Sequence, residues 1–132
     1  MTPTQEPIPE LDMYLKAVYG KKAHNIVVLD VRDLTSVADV FIICSGKSSR
    51  QVMAIAQHIK DALRREKIRP ISVEGLTEGH WVLLDFGSVI FHIFYEPIRA
   101  FYDLDGLWID AKRIECRELE KLNEMTEPNN ET

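Results

Sequence analysis

The clearest alternation of apolar and polar positions in this chain lies between Trp81 and Tyr95. Trp81-Val82-Leu83-Leu84-Asp85-Phe86 and Val89-Ile90-Phe91-His92-Ile93-Phe94-Tyr95 are two apolar runs separated by Gly87-Ser88. A Gly-first dipeptide between such runs predicts a two-residue hairpin turn of the II′ kind. With Phe86 facing Val89, the opposed pairs are Asp85/Ile90, Leu84/Phe91, Leu83/His92, Val82/Ile93 and Trp81/Phe94. Successive strand residues point to opposite faces, so these pairs sort onto two surfaces. One carries Val82, Leu84, Phe86, Val89, Phe91 and Ile93, all apolar, and reads as core. The other carries Trp81, Leu83, Asp85, Ile90, His92 and Phe94, where a carboxylate and an imidazole interrupt an otherwise greasy surface.

The remaining pattern supplies the elements around this hairpin. Leu11, Tyr14, Leu15 and Val18 recur at helical spacing and predict an amphipathic helix over roughly 10–22. Pro9 suits its first turn, with Glu10 and Asp12 at its positive end and Lys21 and Lys22 at its negative end. Residues 26–31 are β-branched and short, hence a strand. Val40-Phe41-Ile42-Ile43-Cys44-Ser45 is a continuous apolar run, as expected of a strand buried on both faces. The short connection between the two predicts antiparallel pairing. Ser48 with Gln51 three residues later is a capping box, opening a helix whose buried stripe is Val52, Ile55, Ala56, Ile59 and Leu63.

A short strand follows Pro70, and Pro97 opens a short helix through about Tyr102. Asp103-Leu104-Asp105-Gly106 is read as the turn that closes it, and Leu107-Trp108-Ile109 as an apolar anchor. The expected fold class is α/β, or α+β: a single mixed β-sheet of about five strands flanked by helices. Residues 1–9 are expected to be a disordered lead, 10–114 the domain, and 115–132 an acidic C-terminal tail.

Charge sharpens this division. The tail holds six acids against Arg117 and Lys121, whereas residues 1–114 hold 15 acids and 14 bases of the chain's total. A nearly neutral body argues against free nucleic acid as the sole partner and permits a basic protein. One local excess stands out. Between residues 47 and 69, seven bases (Lys47, Arg50, Lys60, Arg64, Arg65, Lys67 and Arg69) face only Asp61 and Glu66. This is either a solvated helix face or a contact for RNA phosphates, with Arg50, Arg64 and Arg65 the candidate RNA contacts. No apolar run approaches the ~20 residues that span a bilayer. The two cysteines, Cys44 and Cys116, lack C-x-x-C spacing, and the lead lacks the features of a signal peptide. A cytoplasmic location without membrane contact is expected.

Candidate chemistry is thin. A phosphate-binding P-loop needs a glycine five residues before Gly46, and that position is Phe41. The strand-loop-helix around Ser45-Gly46 resembles nucleotidyltransferases, but a two-metal site needs paired carboxylates and the hairpin strand offers Asp85 alone. His24, His58, His80 and His92 have no ligand spacing, and neither cysteine forms a dyad. No catalytic residue, metal site or cofactor is expected, and the chain is not read as an enzyme.

Several long segments carry a family resemblance. These are residues 37–51 (Val37 to Gln51), Val73-Glu74-Gly75, Trp81 to Gly87, and Phe101-Tyr102-Asp103-Leu104 with Leu107-Trp108. In this order, and over roughly residues 10–114, they resemble the ribosomal silencing factor family, RsfS or Iojap. The resemblance implies a nucleotidyltransferase-like fold without catalytic carboxylates and a homodimer when free. It also implies binding to the large ribosomal subunit through its ribosomal protein numbered fourteen. That contact would block the small subunit and repress translation when nutrients are scarce. The expected partner-binding residues are Trp81, Leu83, Asp85, Ile90, His92 and Phe94, unless a helix or a second copy covers this face. Alternative readings are a degenerate nucleotidyltransferase-like nucleotide binder and an rRNA-binding ribosome biogenesis factor.

Overall fold

The apolar run at Val40–Gly46 forms strand β2, which lies inside the sheet and is buried along its whole length. It is one of ten elements in a computed structural model of the chain, which describes residues 8, 10–19 and 23–115. The elements before it are α1 (Leu11–Tyr19) and β1 (His24–Asp30). After it come α2 (Ser49–Arg65), β3 (Ser72–Glu74), β4 (Trp81–Asp85), β5 (Val89–Tyr95), α3 (Glu96–Tyr102), α4 (Leu104–Leu107) and β6 (Lys112–Arg113). The acidic tail beyond Glu115, most of the lead, and residues 20–22 at the predicted end of the first helix lie outside the described residues.

The six strands form one mixed sheet in the order β3-β4-β5-β2-β1-β6. β1 runs antiparallel to β2, with Leu29 opposite Phe41 and Asp30 opposite Val40. β2 runs parallel to β5, with Val40 opposite Val89 and Gly46 opposite Tyr95. That parallel pair needs a long crossover, which α2, β3 and β4 provide. The β4–β5 register is the one the alternation predicts, from Trp81/Phe94 to Asp85/Ile90. At the turn Gly87 has φ +95°, a conformation an L-residue adopts at a cost, and Phe86 N donates to Val89 O at 2.9 Å.

Two cores follow from the two faces of the sheet. On one side α1 and α2 pack over Val82, Leu84, Phe86, Val89, Phe91 and Ile93. The Tyr14 ring of α1 meets Phe86 edge-on at 5.6 Å and Phe91 at 6.2 Å. The α2 stripe from Val52 to Leu63 is buried as its spacing predicts. On the other side Leu29, Val31, Phe41, Ile43, Ile90 and Phe94 form a smaller core. Ile98, Leu104 and Trp108, from the α3–α4 region, close over it.

The single mixed sheet is as expected, and its sixth strand forms because Lys112 and Arg113 pair with Asp30 and Leu29. Two exposed basic residues carry no apolar alternation, so nothing in the pattern marked them as a strand. Residues 103–106 are more than the expected closing turn, since Leu104–Leu107 forms a second short helix. Of the predicted anchor, Trp108 alone packs inward, its ring edge-on to Phe41 at 5.0 Å. Leu107 and Ile109 are 74% and 77% exposed.

Candidate functional site

The hairpin places Trp81, Leu83, Asp85, Ile90, His92 and Phe94 on one face, and depth then divides them. Ile90, His92 and Phe94, from the inner strand β5, are buried. Trp81, Leu83 and Asp85, from β4, are half-buried. The reason is positional. α3 packs chiefly across β5 and β2, and Tyr102 at its end lies on Trp81 of β4, so the helical cover is fuller over the β5 half of the face.

Trp81 links the buried half to solvent. Its ring lies 4.8 Å from Phe94, and its indole Nε1 donates to Nδ1 of His92 at 3.2 Å. On its other side it meets Tyr102 at 5.1 Å, and Tyr102 meets Phe101 edge-on at 5.1 Å. The rings therefore run continuously from the core (Phe94) through Trp81 to Tyr102, 51% exposed, and Phe101, 78% exposed. Aromatics in such a run supply contact area at low conformational cost, which suits a protein-docking surface. No spacing in the sequence singles out Phe101 and Tyr102 as site residues. They share the helical stripe of Ile98, and nothing in the spacing separates an overhanging aromatic from a core one.

The imidazole of His92 is held neutral. With Nδ1 accepting the indole hydrogen, the ring proton sits on Nε2, which is buried and has no hydrogen-bond partner among the described residues. Burial pushes its pKa down to about 4. A base poised near neutrality would need the opposite environment. Asp85 has a local duty, since its Oδ1 accepts from Gly87 N at 2.8 Å and fastens the hairpin turn.

The α3–α4 cover is clamped by Arg99. Its guanidinium donates to both carboxylate oxygens of Asp105 at 3.1 and 2.8 Å. It also donates to Ser45 Oγ and to the Asn25 carbonyl, each at 2.8 Å. The Arg99 hydrogen bonds hold the Asp105 carboxyl below its ordinary value against an opposing effect of burial. One side chain thus ties α3, α4, β1 and β2 together. Nothing near Arg99 in the sequence signals this, because Ser45 and Asn25 are 54 and 74 residues away.

The basic residues are less gathered than their spacing suggests. Arg50, Arg64 and Arg65 are all exposed. At a rise of about 1.5 Å per residue, however, Arg50 and Arg64 sit about 21 Å apart along α2. At the α2 start, Ser48 Oγ accepts from Gln51 N at 3.0 Å, and Lys47 N donates to Gln51 Oε1 at 2.6 Å. These internal bonds consume donors that an anion would need. A cleft of about 110 Å³ lies between Val27, Leu29, Trp108 and Arg113. It falls well below the ~300 Å³ at which small-molecule sites begin. Among the described residues no group of three His, Cys, Asp or Glu side chains is arranged to hold a metal ion. No described helix is long and apolar enough to cross a membrane.

The family described as "Ribosomal silencing factor during starvation" matches residues 4–132. The chain belongs to that family. A Bacillus subtilis ribosomal silencing factor RsfS is 44% identical over 91 residues, covering 69% of this chain and 77% of its own length. The RsfS of Halalkalibacterium halodurans is 39% identical over 105 residues, covering 80% and 90% respectively. A crystal structure of a Chromobacterium violaceum protein has a TM-score of 0.73 at 33% identity, covering 78% of this chain and 87% of that one. The ribosomal silencing factor resemblance carried by residues 37–51 and the hairpin is thereby shown, and so is the mixed α/β architecture.

Proposed function

We propose that this chain silences translation by docking on the large ribosomal subunit through its ribosomal protein numbered fourteen, so that the small subunit cannot join. Trp81, Leu83 and Asp85 make the contact, with Tyr102 and Phe101 extending it and Ile90, His92 and Phe94 holding it in shape. The observation that carries this reading is the aromatic run that reaches the surface at Tyr102 and Phe101 in a member of a ribosome-silencing family. Steric exclusion needs no chemistry; occupying one docking surface is enough. Asp85 offers a carboxylate to a basic partner beside the apolar contact. When free, the chain forms a homodimer that shields the same aromatics, and its site of action is the cytoplasm.

Co-sedimentation with isolated large subunits tests the docking, and light scattering tests subunit joining. Wild-type protein is expected to pellet with large subunits and suppress joining, while Trp81→Ala folds, stays in the supernatant and permits joining. Failure of the wild type to pellet sinks the silencing reading. Normal binding by a folded Trp81→Ala variant sinks the contact surface alone.

A further inference from the structure

The end of α2 carries a lysine where the backbone favours glycine. Glu66 caps the helix, and the chain then turns through Lys67 at φ +65°. Ile68 N donates to Leu63 O at 2.9 Å and Lys67 N to Arg64 O at 2.8 Å, the two bonds of a Schellman ending. The left-handed position in that motif belongs to glycine, since a side chain there is strained. This chain puts a lysine in it. Three further bases surround that lysine, because Arg64, Arg65 and Arg69 are exposed at the same end of the molecule.

Two ordinary explanations do not account for the cluster. Bases near a helix C-terminus can cap its free carbonyls, but the Leu63 and Arg64 carbonyls already accept backbone N–H groups. They can also form ion pairs, and Arg64 does so with Asp61 at 2.9 Å. Among the described residues no such pair engages Arg65, Lys67 or Arg69. Three cations therefore point to solvent next to a strained backbone position, on a body whose overall charge is close to neutral.

We propose that Arg65, Lys67 and Arg69, with Arg64 beside them, form a second contact surface that takes the phosphate backbone of RNA. The inference rests on the large-subunit reading, since there the phosphates belong to ribosomal RNA next to the docked protein. The placement suits that. Ile71, two residues beyond Arg69, donates its amide to the Asp85 carbonyl at 2.6 Å. The basic end of α2 therefore lies by the β3 edge of the sheet, next to the strand that carries Trp81, Leu83 and Asp85 on the opposite face. Phosphate contacts of this kind position a protein without reading sequence.

The test measures binding of the full chain to a short duplex RNA and to isolated large subunits across a potassium chloride titration. Each lost phosphate contact removes about 1 from the slope of log affinity against log salt. Arg65→Glu with Arg69→Glu is expected to flatten the slope by about 2 and weaken RNA binding about tenfold or more. Lys67→Gly separates recognition from folding. It relieves the backbone strain and raises Tm, yet is expected to weaken RNA binding and flatten the slope by about 1. Unchanged slopes in both variants, or no duplex binding by the wild type, overturn the RNA surface while normal pelleting leaves the docking reading intact. Loss of RNA binding in these variants, with a wild type that ignores large subunits, supports the surface and removes its ribosomal setting.

Discussion

The indole of Trp81 and the imidazole of His92 are diagonal neighbours on β4 and β5, joined by a 3.2 Å hydrogen bond from Nε1 to Nδ1. This bond fixes the ring at the centre of the aromatic run, and it requires His92 to be neutral at that nitrogen. Protonation would replace the acceptor with a second donor aimed at the indole N–H.

A pH dependence of stability follows. The His92 pKa lies near 4 in the folded chain because burial disfavours the cation; unfolded, it returns to about 6.5. Between these values the unfolded chain binds the extra proton. The folded state is thus at full advantage above about pH 6.5 and loses it as pH falls toward 4, by on the order of 3 kcal/mol. Asp30 and Asp105, held down by hydrogen bonds from Arg32 and Arg99, lose their contributions only at lower pH, as they are protonated. Urea unfolding of His92→Leu at several pH values should show the loss between 6.5 and 4 largely abolished. An unaltered profile would assign that window to another group.

Arg99→Leu should destabilise the fold by about 2–3 kcal/mol. The buried Ser45 hydroxyl and the Asn25 carbonyl lose their donor, while Asp105, 38% exposed, falls back partly on water. Denaturant midpoints measure this. Large-subunit binding at temperatures where the variant remains folded should also weaken, because α3 carries Tyr102. A variant as stable as wild type would mean that apolar packing alone holds α3 and α4.

Tyr102→Ala removes a half-exposed ring with little core beneath it and should cost the fold under about 1 kcal/mol. Docking should suffer more, by about 2 kcal/mol or roughly thirtyfold in Kd, if the aromatic run is the centre of the contact. Paired measurement of Tm and large-subunit affinity decides. Equal affinities with and without the ring would confine the contact to β4.

Much of this architecture is legible in the chain because the physics that sets it is local. The β4–β5 register needs only alternation and Gly87-Ser88, and α2 announces itself through Ser48, Gln51 and a stripe. The depth of His92 and Phe94 is not local. It depends on Ile98, Leu104 and Trp108 folding back over the sheet, and a period-2 pattern does not say which of two greasy faces receives a cover. Arg99 is hidden for the same reason, its partners being brought to it by the sheet. β6 is hidden for a different one: two residues are too few to show a period.

The parallel alignment of β2 with β5 has a kinetic consequence. Val40 and Val89 are separated in the chain by a helix and two strands, and joining such distant segments costs loop-closure entropy that a hairpin avoids. The expected order is hairpin first and closure of the sheet centre last. A destabilising change at Gly87 should therefore slow refolding, whereas Val40→Ala should mainly hasten unfolding. On that schedule the strand bearing Trp81 is paired with its neighbour before the rest of the sheet has assembled around it.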